Sequence, residues 1–137
     1  MKNISYDLLQ LLIDHKKELG LPNTILFDYL CDKGDALSLE TTPSPKLEEE
    51  YIDGSQIYGY RFEILAATDG GRNSAPNAKA MQWLENIGEF FEAMEDYPLS
   101  ENRMIHEAEL MTPALFFRTE DGRIIYSISI RIIYEEA

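Results

Sequence analysis

Three consecutive pieces decide how this chain folds: Leu115-Phe116-Phe117-Arg118, the polar corner Thr119-Glu120-Asp121-Gly122-Arg123, and Ile124-Ile125-Tyr126-Ser127-Ile128-Ser129-Ile130-Arg131-Ile132-Ile133-Tyr134. In the last piece Ile124, Tyr126, Ile128, Ile130, Ile132 and Tyr134 recur at period two, the spacing of a half-buried strand. β-Branched and aromatic side chains fill that face, as a packed pleated surface prefers. Asp121-Gly122 supplies a turn pair in which glycine takes φ > 0, so an antiparallel hairpin is expected. At eleven residues the second strand is longer than most and is the expected centre of the sheet.

A second long strand is expected at Ile57–Thr68, with Tyr58, Tyr60, Phe62, Ile64 and Ala66 on one face. Shorter strands are expected at Thr24–Leu30, Ala36–Glu40 and Arg103–Met111, the last broken by Thr112-Pro113. Two helices accompany them. The first starts at Asn3 or Ser5 and runs to about Leu19, where Gly20 and Pro22 stop it. The second is capped by Ser74, tolerates Pro76 in its first turn and ends at Tyr97-Pro98. Its apolar arc includes Ala80, Trp83, Leu84, Ile87, Phe90 and Phe91, and the other arc carries Glu85, Glu89 and Glu92. Core packing is the first reading of that arc, with Trp83 and Phe90 on its flank as candidates to face a partner. Thr41–Glu50, with two prolines and the run Glu48-Glu49-Glu50, is expected to be a loop that is mobile or engaged in binding. With Tyr51-Ile52-Asp53-Gly54-Ser55 at its end, it is expected to order only on docking.

The 137 residues suit one domain, spanning 1–137, and 45% apolar content argues for a globular chain. No apolar run approaches the roughly 18 residues of a membrane span, so no membrane partner is expected. A single cysteine, Cys31, excludes an internal disulfide and fits a reducing cytosol. Twelve basic against 25 acidic residues give a net charge of −13. That surface repels phosphates and speaks against nucleic-acid recognition.

Chemistry is thinly represented. Cys31 would need a histidine beside it to act as a nucleophile, and neither His15 nor His106 is placed there by the sequence. His15 lies on the apolar face of the first helix and reads as a packed or edge-lying side chain. His106 has acidic neighbours, but one strand points them to its opposite face. Glu85, Glu89 and Glu92 have no interleaved histidine and read as a solvated face rather than a metal site. Gly70-Gly71 lacks the spacing and the lysine of a phosphate loop. No catalytic residue, cofactor or metal site is therefore expected.

Antiparallel connections and two helices predict an α+β two-layer domain, a mainly antiparallel β-sheet with both helices packed on it. The reverse face of the long strands mixes Ile125, Ile133, Leu65 and Ala67 with Ser127, Ser129, Arg61 and Arg131. A lone domain would leave that face to water, whereas an assembled one could cover it.

In chain order, Leu37-Ser38-Leu39-Glu40, the proline-containing loop, Tyr51-Ile52-Asp53-Gly54-Ser55 and the aromatic strand Tyr58–Leu65 resemble the minor capsid proteins of tailed phages and prophages of Gram-positive bacteria. Thr112-Pro113, Phe116-Phe117, Glu120-Asp121-Gly122-Arg123 and the closing strand Tyr126–Tyr134 continue the likeness over nearly the whole chain. Members of that family look like tail-terminator or tail-completion proteins. The resemblance implies a virion structural protein, made in the bacterial cytoplasm, at the head–tail junction. It implies a homo-oligomeric ring, about six copies matched to the tube it caps, that contacts the tail tube protein and the head connector. DNA would pass through without specific binding. Candidate interface residues are Glu48, Glu49, Glu50, Tyr51, Asp53, Trp83 and Phe90. A head-closure or connector protein is the alternative within that class. Outside it stand a small acidic enzyme using Cys31 or His106, and a monomeric binding module presenting the acidic loop.

Overall fold

In a computed structural model of the chain, residues 4–30, 34–40, 46–50, 54–70, 74–100, 102–120 and 122–137 are described, 46–50 by their backbone alone. The two long alternating segments pair with each other at the middle of the sheet. Strand β4 (Gln56–Ala67) and strand β7 (Arg123–Glu136) run antiparallel in unbroken register from Gln56↔Glu136 to Ala67↔Ile125. That register puts Tyr60, Phe62 and Ile64 opposite Ile132, Ile130 and Ile128, so the apolar rows of both strands share one face.

Around this pair lie β1 (Thr24–Phe27), β2 (Ala36–Glu40), β3 (Lys46–Glu50), β5 (Glu95–Ser100) and β6 (Arg103–Glu120). The strand order is β1-β2-β4-β7-β6-β5, with β3 beside β4. All pairings are antiparallel except β1–β2, which is parallel. The sheet is thus mixed, although mainly antiparallel. Helices α1 (Ile4–His15) and α2 (Ser74–Glu92) pack on the same face. Leu8 and Leu12 of α1, Trp83, Ile87 and Phe91 of α2, and Phe62, Ile128 and Ile130 of the sheet join in one core. The two-layer α+β arrangement follows from one apolar face and two amphipathic helices to cover it.

Several boundaries differ from the sequence reading, each for a local reason. Regular α1 ends at His15, but the chain keeps turning to Gly20, where φ is +69°. Leu21 N–H bonds Lys16 O at 2.7 Å and Gly20 N–H bonds Lys17 O at 3.3 Å, the Schellman pattern that a left-handed glycine permits. Strand β1 stops at Phe27 because Asp28 takes φ +52°. The acidic run expected in a loop lies instead on β3, whose register pairs Glu49 with Ile57 and Glu50 with Gln56. β3 is an outer strand of the sheet. Helix α2 ends at Glu92, short of Tyr97-Pro98, and residues 95–100 form a strand. Pro98 sits in β5, an edge strand, where a missing N–H removes no required ladder bond.

Thr112-Pro113 does not break the extended chain either. It lies within β6, whose ladder to β7 shifts register around Thr112 and Leu115. Bulges absorb the extra residues while the strand continues. The hairpin expected at Asp121-Gly122 is present, with Glu120 opposite Arg123 and Gly122 at φ +77°. The reverse face is not left to water at this end. Leu30 packs on Leu65, Ala67 and Ile125 there. Arg123 Nη2 donates to Gly34 O at 2.7 Å, and its Nε donates to Thr68 O at 3.2 Å.

Candidate assembly surface

The sheet has two levels along its strands, and they are finished differently. At the level of Tyr58 and Tyr134 the strand order is β3-β4-β7-β6-β5, with β5 bonded along Arg103–Glu107 of β6. At the level of Ala66 and Tyr126 the order is β1-β2-β4-β7-β6, and no described strand pairs with the outer side of β6. An unpaired strand edge presents a row of N–H and C=O groups to anything that can pair with it.

That open stretch is also apolar. Met111, Leu115, Phe116 and Phe117 are all exposed, Phe116 at 55%. The opposite edge has its own pair, Phe27 at the end of β1 and Tyr29 just beyond it. Among the described residues, seven large hydrophobic side chains are exposed, and six of them lie at these two edges. Scattered exposed apolar residues need no explanation, but clusters on open sheet edges mark interaction sites. Arg118 lies over the Phe117 ring at 4.8 Å and its Nε donates to Glu120 at 2.8 Å, so the tip is held by a local charge pair.

The closed level is held by ion pairs that no single stretch of sequence reveals. Arg103 Nη1 donates to Asp7 of α1 at 2.7 Å and Nη2 to Glu136 of β7 at 3.0 Å. The Arg103 and Asp7 side chains are only 9% and 5% exposed. The two carboxylates hold the guanidinium charged and push its pKa up against the opposing effect of burial. Next to it, His106 contacts Asp96 of β5 through Nδ1 at 2.9 Å and Glu135 of β7 through Nε2 at 3.2 Å. The hydrogen bond to Asp96 is the main reason its pKa is raised. The acids that meet His106 come from the neighbouring strands, not from Glu107 and Glu109 on its own strand. The group ties three strands together.

The interface residues expected from sequence are scattered. Glu48, Glu49 and Glu50 lie on the outer strand β3, whereas Tyr51, Asp53 and the cysteine at 31 fall outside the described residues. Trp83 is 3% exposed and belongs to the core, with Lys79 Nζ 5.6 Å from its ring centre. Phe90 is half-buried between His15 and Phe91 at centroid distances of 5.0 and 5.6 Å. Trp83 therefore serves the helix–sheet packing, whereas Phe90 packs against both helices and stays partly open. The Leu115–Phe117 run was missed as a surface because period-two reading assigns every second residue inward. Its consecutive apolar residues, next to a proline, were the available signal.

No family model matches the chain, and no curated protein sequence matches it. A solved structure does: a chain in the virion of a native gene transfer agent particle, at TM-score 0.55 and 18% identity. The match covers 86% of this chain and 82% of that one. At that identity the likeness is one of fold.

Proposed function

We propose that this protein is a structural component of a tailed-phage or phage-like virion, and within that class a tail terminator. What carries the reading is the fold shared, over most of both chains, with a protein of a gene transfer agent virion. The resemblance along the sequence points to the same class independently. On this reading the protein works by assembly and performs no chemical step. It forms a ring of about six copies through head-to-tail contacts, stops the tail tube and joins it to the head connector.

The charge fits a conduit for DNA. Six copies at −13 each would carry roughly −80, and a lumen lined by acid repels phosphates instead of holding them. Glu85, Glu89 and Glu92 are exposed along α2 and would supply such a lining. The same charge opposes ring closure, and salt screens exposed charges beyond about 8–10 Å. Sedimentation across a salt series tests this. Assembly is expected to strengthen from low to physiological ionic strength. A ring that dissociates as salt rises would mean that basic–acidic pairing holds the subunits, and a monomer at every salt concentration would sink the ring itself.

A further inference from the structure

We propose that neighbouring copies share a β-sheet: the edge of β6 over Leu115–Arg118 of one copy pairs antiparallel with the edge of β1 over Thr24–Phe27 of the next, both edges being ones that no described strand covers. This rests on the ring reading and names the surfaces that close the ring.

Four observations support it. First, the two edges lie at the same level. Following the ladders across the sheet, Leu26, Ser38, Leu65, Ser127 and Leu115 stand in one row. Thr24, Ala36, Ala67, Ile125 and Arg118 stand in another. A rotated copy can therefore bring one edge to the other without sliding along the strands. A large offset would step each copy upward and build a helical filament instead of a closed ring.

Second, the directions are right. β1 and β2 are parallel, and the next three pairings across to β6 are antiparallel. β6 thus runs opposite to β1, and a head-to-tail junction is antiparallel, the more stable ladder per residue. Third, the lengths are comparable. β1 has four residues, and on β6 the stretch Leu115–Arg118 lies beyond Pro113 and the register shifts around Thr112 and Leu115, with one further shift between Phe116 and Arg118 inside it. Such interruptions restrict which partners an edge accepts.

Fourth, both edges are apolar where they are open. Leu115, Phe116 and Phe117 would meet the surroundings of Phe27 and Tyr29, which buries the exposed clusters together. The alternative of two β6 edges meeting each other would stop at a symmetric dimer and leave Phe27 and Tyr29 in water.

Cysteine crosslinking tests the pairing in the full-length protein with Cys31→Ser as background. Leu26→Cys and Leu115→Cys stand in the same row, and a short bismaleimide tolerates a small difference in register. Neither single variant should crosslink to itself, and their mixture should give crosslinked dimers. The double variant should give a ladder ending at the ring. Dimers from Leu115→Cys alone would show β6 meeting β6 and overturn the proposal. Assembled mass without any 26–115 crosslink would overturn the shared sheet and leave the ring standing. A native mass of one subunit at every salt concentration would sink both.

A surface variant gives a second readout. Phe116→Glu should raise the concentration needed for assembly by about tenfold or more, with the circular dichroism and melting of the subunit unchanged. Unchanged assembly by this variant would also overturn the proposal.

Discussion

The two halves of β6 have the same backbone conformation and opposite fates. From Arg103 to Glu107 the strand lies between β5 and β7 and Ile105 is fully buried; just beyond, a methyl added at Gly88 of α2 would stand in ordinary van der Waals contact with Leu110. From Ala108 to Glu120 it keeps β7 but has no β5 alongside, and residues 115–120 are all exposed. The composition does not explain the difference, since the outer half carries more large apolar side chains than the inner one. What differs is what the rest of the fold brings alongside. Apolar side chains on an extended arm gain little inside the subunit, so they stay exposed there.

The contrast can be broken most severely at Arg103. Arg103→Met would leave Asp7 and Glu136 facing each other without their cation, in a site that is nearly closed to water for Asp7. Removing one partner of a buried ion pair costs about 3–5 kcal/mol, readable in a chemical melt. A loss below about 1 kcal/mol would mean that water reaches the site and that the inner half is less closed than its geometry indicates.

Ile130→Ala and Phe116→Ala compare the two regions directly. Ile130, in the core opposite Phe62, should lose about 2–5 kcal/mol through the transfer and cavity terms together. Phe116→Ala in dilute, unassembled protein should stay within about 0.5 kcal/mol of the parent. Similar losses at both positions would show that the arm folds back onto its own subunit in solution.

The smallest effect is expected from His106. Its folded pKa is raised, chiefly by Asp96 and further by Glu135. Its contribution is therefore fully present below the unfolded value of about 6.5 and is lost as pH rises through the folded pKa. The melting temperature should fall between pH 6 and pH 8, and His106→Gln should flatten that slope. An unchanged slope in the variant would place the titrating group elsewhere.

Much of this was legible in the residues. The alternation in Ile124–Tyr134 and Ile57–Thr68, the Asp121-Gly122 turn, the apolar arcs of both helices and the stop at Gly20 are short-range patterns. They depend on the backbone period and on which φ values a residue tolerates. Only their upper end departs: Ile124, in the arm, is half-buried and lies outside the core. The residues that became strands against expectation, Lys46–Glu50 and Glu95–Ser100, are polar or interrupted by proline. They are extended because β4 and β6 offer them open edges, a cause that lies outside their own sequence.

The same reasoning separates what composition determined about function from what the tertiary structure decided. Net charge and the single cysteine are properties of the chain, and they spoke against nucleic-acid recognition and an internal disulfide; the expectation of a virion role came from the resemblance along the sequence. Which apolar residues are left exposed was decided by strand order. The burial of Trp83, the meeting of His106 with Asp96 and Glu135, and the exposure of Phe116 all follow from long-range pairing. A residue's period fixes which face of its strand it occupies, but only the neighbours supplied by the whole fold determine whether that face and that edge are covered.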